Sequence, residues 1–185
     1  MSSERIMWEN IEDFGCEYLN ISRDESGLVA KGTTIFLSKS EPCKVTYEMV
    51  MDPFWITKSL KVKTESNEKA IEINSDGQGK WFDNKGYELD HLKGAIDVDI
   101  SATPFSNSLP INRHTWNKSQ KRDFEMAFVS VPDMEIIKVN QSYTFLGDQN
   151  HSRTFFYQSG LFETNIVVDE NGYVLDYPGI FSRKY

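Results

Sequence analysis

The sequence predicts a single mainly-β domain: a many-stranded antiparallel sheet with one short helix at about residues 103–112. Three observations predict it. Apolar and polar residues alternate in run after run, turn residues recur at short intervals, and only one segment carries the chemistry of a helix start. At 185 residues the chain is long enough for one real core and short for two, so residues 1–185 are read as one domain. Its 12 Phe, 8 Tyr and 4 Trp supply ample bulky packing material.

The elements follow in order from Phe14. Cys16, Tyr18 and Ile21 mark a first strand, closed by Asp24-Glu25-Ser26-Gly27. Leu28 to Leu37 is a second, in which Gly32 suggests a bulge. Val45, Tyr47, Met49 and Met51 share one face of a third, and Asp52-Pro53 turns the corner. Ile56, Lys58, Leu60 and Val62 then alternate with polar neighbours, Ile71 and Ile73 carry a short strand, and Asp76-Gly77 and Asn84-Lys85-Gly86 are turns around Trp81. Later, Phe124, Met126 and Phe128 alternate up to Pro132, and Ile137, Val139, Gln141, Tyr143 and Phe145 line one long strand. Phe155 and Tyr157 share a face, as do Phe162, Thr164, Ile166 and Val168. Glu170-Asn171-Gly172 is a hairpin turn before a last strand starting at Tyr173 to Tyr177.

Residues 94–114 stand apart. Ile96, Val98 and Ile100 face one way and Asp97 and Asp99 the other, a strand with an apolar and a polar side. Thr103-Pro104 then reads as an N-cap followed by proline at the first helical position, and Pro110 limits any helix to a turn or two. Ser106, Asn107, Asn112 and Arg113 crowd polar groups into a segment that also holds Phe105, Leu109 and Ile111.

Composition narrows the function classes. A net charge of −8 argues against a nucleic-acid or anionic-membrane surface, because either requires a basic patch. Cys16 and Cys43 have neither zinc nor disulfide-scaffold spacing and read as reduced strand or core residues. No metal or cofactor motif is found. The first ten residues lack the apolar stretch of an export signal, and no stretch approaches the ~18 apolar residues of a membrane span. A soluble, cytoplasmic protein is the default expectation.

Two chemistries merit weighing. Asp97 and Asp99, about 7 Å apart at the backbone given ~3.3 Å per strand residue, have a spacing that an acid/base couple of a glycosidase could use. A solvated strand edge, or a buried carboxylate neutralised by Arg113, is the commoner use of such a pair. His91, His114 and His151 sit in no metal-ligand or nucleophile motif, and structural use is expected for all three. Trp8, Trp55, Trp81, Trp116, Tyr143 and Tyr157 could stack on sugar rings, although core filling outranks ligand contact for any one of them.

The run Asp97-Val98-Asp99-Ile100-Ser101-Ala102-Thr103-Pro104-Phe105-Ser106-Asn107-Ser108-Leu109-Pro110-Ile111-Asn112-Arg113 resembles the signature of a bacterial family described as glycolipid-binding. Asp52 with Trp55, Gly79-Lys80-Trp81, Val131-Pro132, Gln141-Ser142-Tyr143 and Val168 to Pro178 extend the resemblance nearly end to end. It implies a spiral β-roll, a sheet curled around one short central helix, similar in shape to periplasmic lipoprotein carriers, and a homodimer. The chain departs from the family pattern at Asn112, where a second arginine is usual.

These readings favour a non-catalytic binding protein for an amphiphile such as a glycolipid. Trp81, Asp97, Asp99, Asn107, Arg113 and Tyr143 are its candidate ligand-binding residues. A dimeric module in which the same cluster only knits the helix to the sheet comes second, and a glycoconjugate hydrolase using Asp97 and Asp99 third. A buried Arg113 is expected to pair with Asp99, so that Asp99→Ala would destabilise the fold by a few kcal/mol.

Overall fold

Period-two alternation dominates what the chain builds. The computed structural model describes residues 2–65 and 69–185. Among these, β1 (Ser2–Asn10), β2 (Gly15–Asp24), β3 (Gly27–Ser38), β4 (Glu41–Met51), β5 (Thr57–Thr64), β6 (Ala70–Ser75) and β7 (Trp81–Asp83) form a meander. A long connection leads to β8 (Asp97–Ile100). A 3₁₀ turn, Pro104–Asn107, runs into α1 (Ser108–Arg113). Then come β9 (Lys121–Ser130), β10 (Glu135–Gln149), β11 (Ser152–Ser159), β12 (Phe162–Asp169), β13 (Val174–Tyr177) and β14 (Phe181–Arg183).

All of these strands join one sheet in the order β7-β6-β5-β4-β3-β2-β1-β14-β13-β12-β11-β10-β9-β8. The sheet is open, with β7 and β8 at its ends, and it curls until β8 touches β5. Pro104 to Ile111 are all buried within that curl. Phe105 sits between Trp55 from the β4–β5 corner and Tyr173 from the β12–β13 turn, with ring centroids 6.4 and 6.3 Å away. The short helix thus bridges the two arms of the sheet.

The sheet is mixed rather than wholly antiparallel. β8 pairs with β9 in parallel, with Asp97 opposite Met126 and Asp99 opposite Phe128. The segment between these strands holds the helix, and only such a crossover returns the chain in the same direction. Pro110 lies inside α1, in its first turn, where the missing N–H is not needed.

Other expectations are corrected in detail. The N-terminal residues form a strand, β1, whose Ile6, Trp8 and Asn10 point inward. In β2 the buried set is Glu17, Leu19 and Ile21, while Tyr18 faces out and Cys16 is only half-buried; a carboxylate on the inner face disguised the period. Gly32 is not a bulge. It pairs regularly with Leu19 and Tyr47, and a Cβ there would lie 2.1 Å from the Tyr47 ring. Gly32→Ala should therefore cost about 1–3 kcal/mol as overpacking, read as a lower urea midpoint. The last strand is two, because Pro178-Gly179 turns the chain back between β13 and β14.

Candidate functional site

Both ends of the helical segment are tied to buried carboxyl groups on strands. At its C-terminal end, Arg113 Nη2 meets Asp97 Oδ2 at 2.5 Å, and Asp97 is wholly buried. Asp99, half-buried, is a separate contact: it accepts from Gln141 Nε2 at 2.6 Å. Arg113 is thus the partner of Asp97 and not of Asp99. The Tyr143 hydroxyl donates to Asn107 Oδ1 at 2.8 Å, and Asn107 Nδ2 donates to the Pro104 carbonyl at 3.1 Å. Phe124 links the two halves, lying 5.8 Å from the Tyr143 ring and 5.7 Å below the Arg113 guanidinium. Trp81 is set apart; it is fully buried and its indole N–H donates to the Ala95 carbonyl at 2.8 Å.

At the other end, Glu17 on β2 accepts from the Tyr47 hydroxyl at 2.5 Å and from the Thr103 hydroxyl at 2.9 Å. Thr103 also caps the segment by accepting from Phe105 N at 3.0 Å. Sequence reasoning missed Glu17. Its one signal was parity with Leu19 and Ile21.

Burial sets the electrostatics. It raises Asp97 to about 6 against the opposing pull of Arg113, and Asp99 to about 6 against hydrogen bonds from Gln141 and Ser106. It raises Glu17 further, to about 8, so at pH 7 this group is mostly a neutral acid despite its two hydroxyl donors.

Arg113 also reaches the surface, at a cleft of about 350 Å³ lined by Ile96, Arg113, His114, Arg122, Phe124 and Glu125. Arg122 and Phe124 reach it from β9, opposite Tyr143 and Gln141 of β10. The His114 and Phe124 rings are 5.4 Å apart. Burial, then the charges of Arg113 and Arg122, lower His114 to about 4, so its imidazole is neutral at pH 7. Gly94 closes the rim with φ +99°, and a Cβ there would stand 2.2 Å from Glu125 Oε2. The cleft therefore gathers two guanidinium groups, two carboxylates and the His114 and Phe124 rings within one small volume.

The sequence model of the family described as "Putative glycolipid-binding" matches residues 5–183. The chain belongs to this family. It is also similar to the crystal structure, at 1.80 Å resolution, of a DUF1089 family protein from Pseudomonas aeruginosa. That likeness has a TM-score of 0.79 at 25% sequence identity and covers 91% of this chain and 92% of that one. No curated protein matches the chain. Membership of this family supports a binding role. Among the described residues no helix is long and apolar enough to cross a membrane. Asn112, where the resemblance implies an arginine, donates to the Asn171 carbonyl at 2.8 Å and accepts from Arg153 at 3.2 Å. An arginine of β11 thus stands against that end of the helix.

Proposed function

We propose that the protein is a non-catalytic binding protein for an amphiphile with a sugar-bearing head group, and that the head group is held in the Arg113 cleft. The observation that carries this reading is a guanidinium held by Asp97 at 2.5 Å that also lines a cleft with Arg122, His114, Phe124 and Glu125. A planar donor fork, acceptor oxygens and aromatic faces are the groups that recognise hydroxyls and the apolar side of a sugar. The family description supports the same class of ligand.

Each candidate residue has a part in it. Arg113 makes the contact and Asp97 positions it. Asn107 and Tyr143 shape the wall behind Phe124, Asp99 holds Gln141 beside them, and Trp81 anchors Ala95 between the rim residues Gly94 and Ile96. An acid/base couple needs two carboxyls pushed to different pKa values with water between them. Asp97 and Asp99 are raised alike, and Asp97 is sealed from solvent, which supports binding over hydrolysis.

Octyl β-glucoside, titrated below its micelle concentration, should shift the amide resonances of Gly94, Ile96, Arg122 and Phe124. Arg113→Lys keeps a cation for Asp97 but loses the fork, and should weaken binding by about tenfold with the fold retained. Unmoved cleft resonances, or equal affinity in the variant, would overturn the assignment and favour the structural reading. That alternative draws on the near-complete burial of Trp81, Asp97, Asn107 and Tyr143. The homodimer implied by the family resemblance belongs to the proposal too, and sedimentation of the same samples reads it.

A further inference from the structure

The outer face of β1–β3 carries a second concavity, well away from β8 and β9 in the strand order. It measures about 470 Å³ and is floored by Met7, Phe14, Cys16, Ile35, Leu37 and Pro42. Solvent reaches much of this apolar surface, with Phe14 80% and Ile35 51% exposed. Register accounts for it: Glu9, Cys16 and Ile35 stand side by side across the three strands, as do Met7 and Tyr18 one step along. The Asn10–Gly15 turn folds Phe14 over the end, held by Leu37 N donating to the carbonyls of Asp13 and Phe14. Contiguous exposed apolar surface of this kind marks a contact site more often than chance.

Two features select the occupant. The two charged residues that line it, Lys184 and Glu9, pair with each other at 2.7 Å. The lining itself therefore offers a peptide or an anionic surface no charge that is not already paired. It is also narrow: a stable protein interface draws on about 20–30 residues a side, far more than the apolar residues here. Its volume lies in the range of small-molecule sites.

We infer that this groove binds one unbranched hydrocarbon chain, the acyl or alkyl tail of an amphiphile, independently of the Arg113 cleft. Burying such a chain is favourable by about 0.8 kcal/mol for each methylene removed from water, and the floor supplies the apolar partners.

The test uses octaethylene glycol monododecyl ether below its micelle concentration, a probe with a hydrocarbon tail and neither charge nor sugar. Bound, it should slow alkylation of the half-buried, free Cys16 by N-ethylmaleimide at least fivefold, saturably at one per chain, and shift amides of Met7, Ile35 and Leu37. Phe14→Asn with Ile35→Thr should abolish both effects at an unchanged melting temperature, since both positions are exposed. Arg113→Lys should leave both effects intact, which separates this groove from the head-group cleft. Absence of resonance shifts in β1–β3, or equal protection in the Phe14/Ile35 variant, would overturn the inference. Binding that disappears with Arg113→Lys alone would place the tail at the cleft and also overturn it.

Discussion

Asp97→Ala is expected to cost the fold about 3–5 kcal/mol, the loss seen when one partner of a buried ion pair is removed. Arg113 would then keep its charge in a largely buried place, 15% exposed at the side chain, with its partner oxygen gone. The cost comes from the stranded cation and not from the net worth of the pair. Replacing both groups, Asp97→Ala with Arg113→Met, should therefore recover much of the loss, and urea midpoints of the two variants and the wild type read the difference. A single variant as stable as the wild type would mean that Arg113 finds another counter-charge or swings out to water. The head-group proposal would then lose its fixed fork.

Removing the titration of Glu17 is the second large effect, and its sign follows from burial. The folded protein holds this proton up to about pH 8, whereas an unfolded chain releases it near 4.5. Between those values the native state binds more protons than the unfolded one, so stability falls as pH rises, by about 1.4 kcal/mol per pH unit. Asp97 and Asp99 act in the same direction, but only between 3.8 and about 6. His114, lowered to about 4, opposes them below its ordinary 6.5. From about 6.5 to 8 the slope belongs chiefly to Glu17. Glu17→Gln keeps an acceptor for Tyr47 and Thr103 without an ionisable proton, and should flatten stability over that window in urea titrations at stepped pH. A variant with the wild-type slope would contradict the assignment of that proton.

The core strands were legible because their inner faces are apolar without interruption: Val45, Tyr47, Met49 and Met51 of β4 all point inward. The helix was legible from Thr103-Pro104, and its end at Arg113 falls one residue from the expected limit. What was hidden had polar groups on the inner face. Glu17 in β2 and Asn10 in β1 look like solvent residues until the roll closes over them, so the first strand went unread and the face of the second was shifted. The parallel pairing of β8 was also illegible, since period-two alternation is the same for either strand direction. At the candidate site, Asp97, Asp99 and Arg113 were named together, but with Asp99 as the expected partner of the arginine, a place that Asp97 takes. Arg122 and Phe124 were not named, because β9 comes to Arg113 only in the folded sheet, and His114, next to Arg113 in the chain, sits in no ligand motif. Nothing local in the sequence distinguishes Asp97 from Asp99 as the partner of the arginine.

The most direct test of the account is native mass spectrometry of the protein purified gently from its own host, followed by extraction and analysis of what it carries. The expected result is a sugar-bearing amphiphile whose amount per chain falls in an Arg113→Lys variant that folds and accumulates normally. A wild-type protein that is ligand-free, or an amphiphile retained equally by the variant, would contradict it.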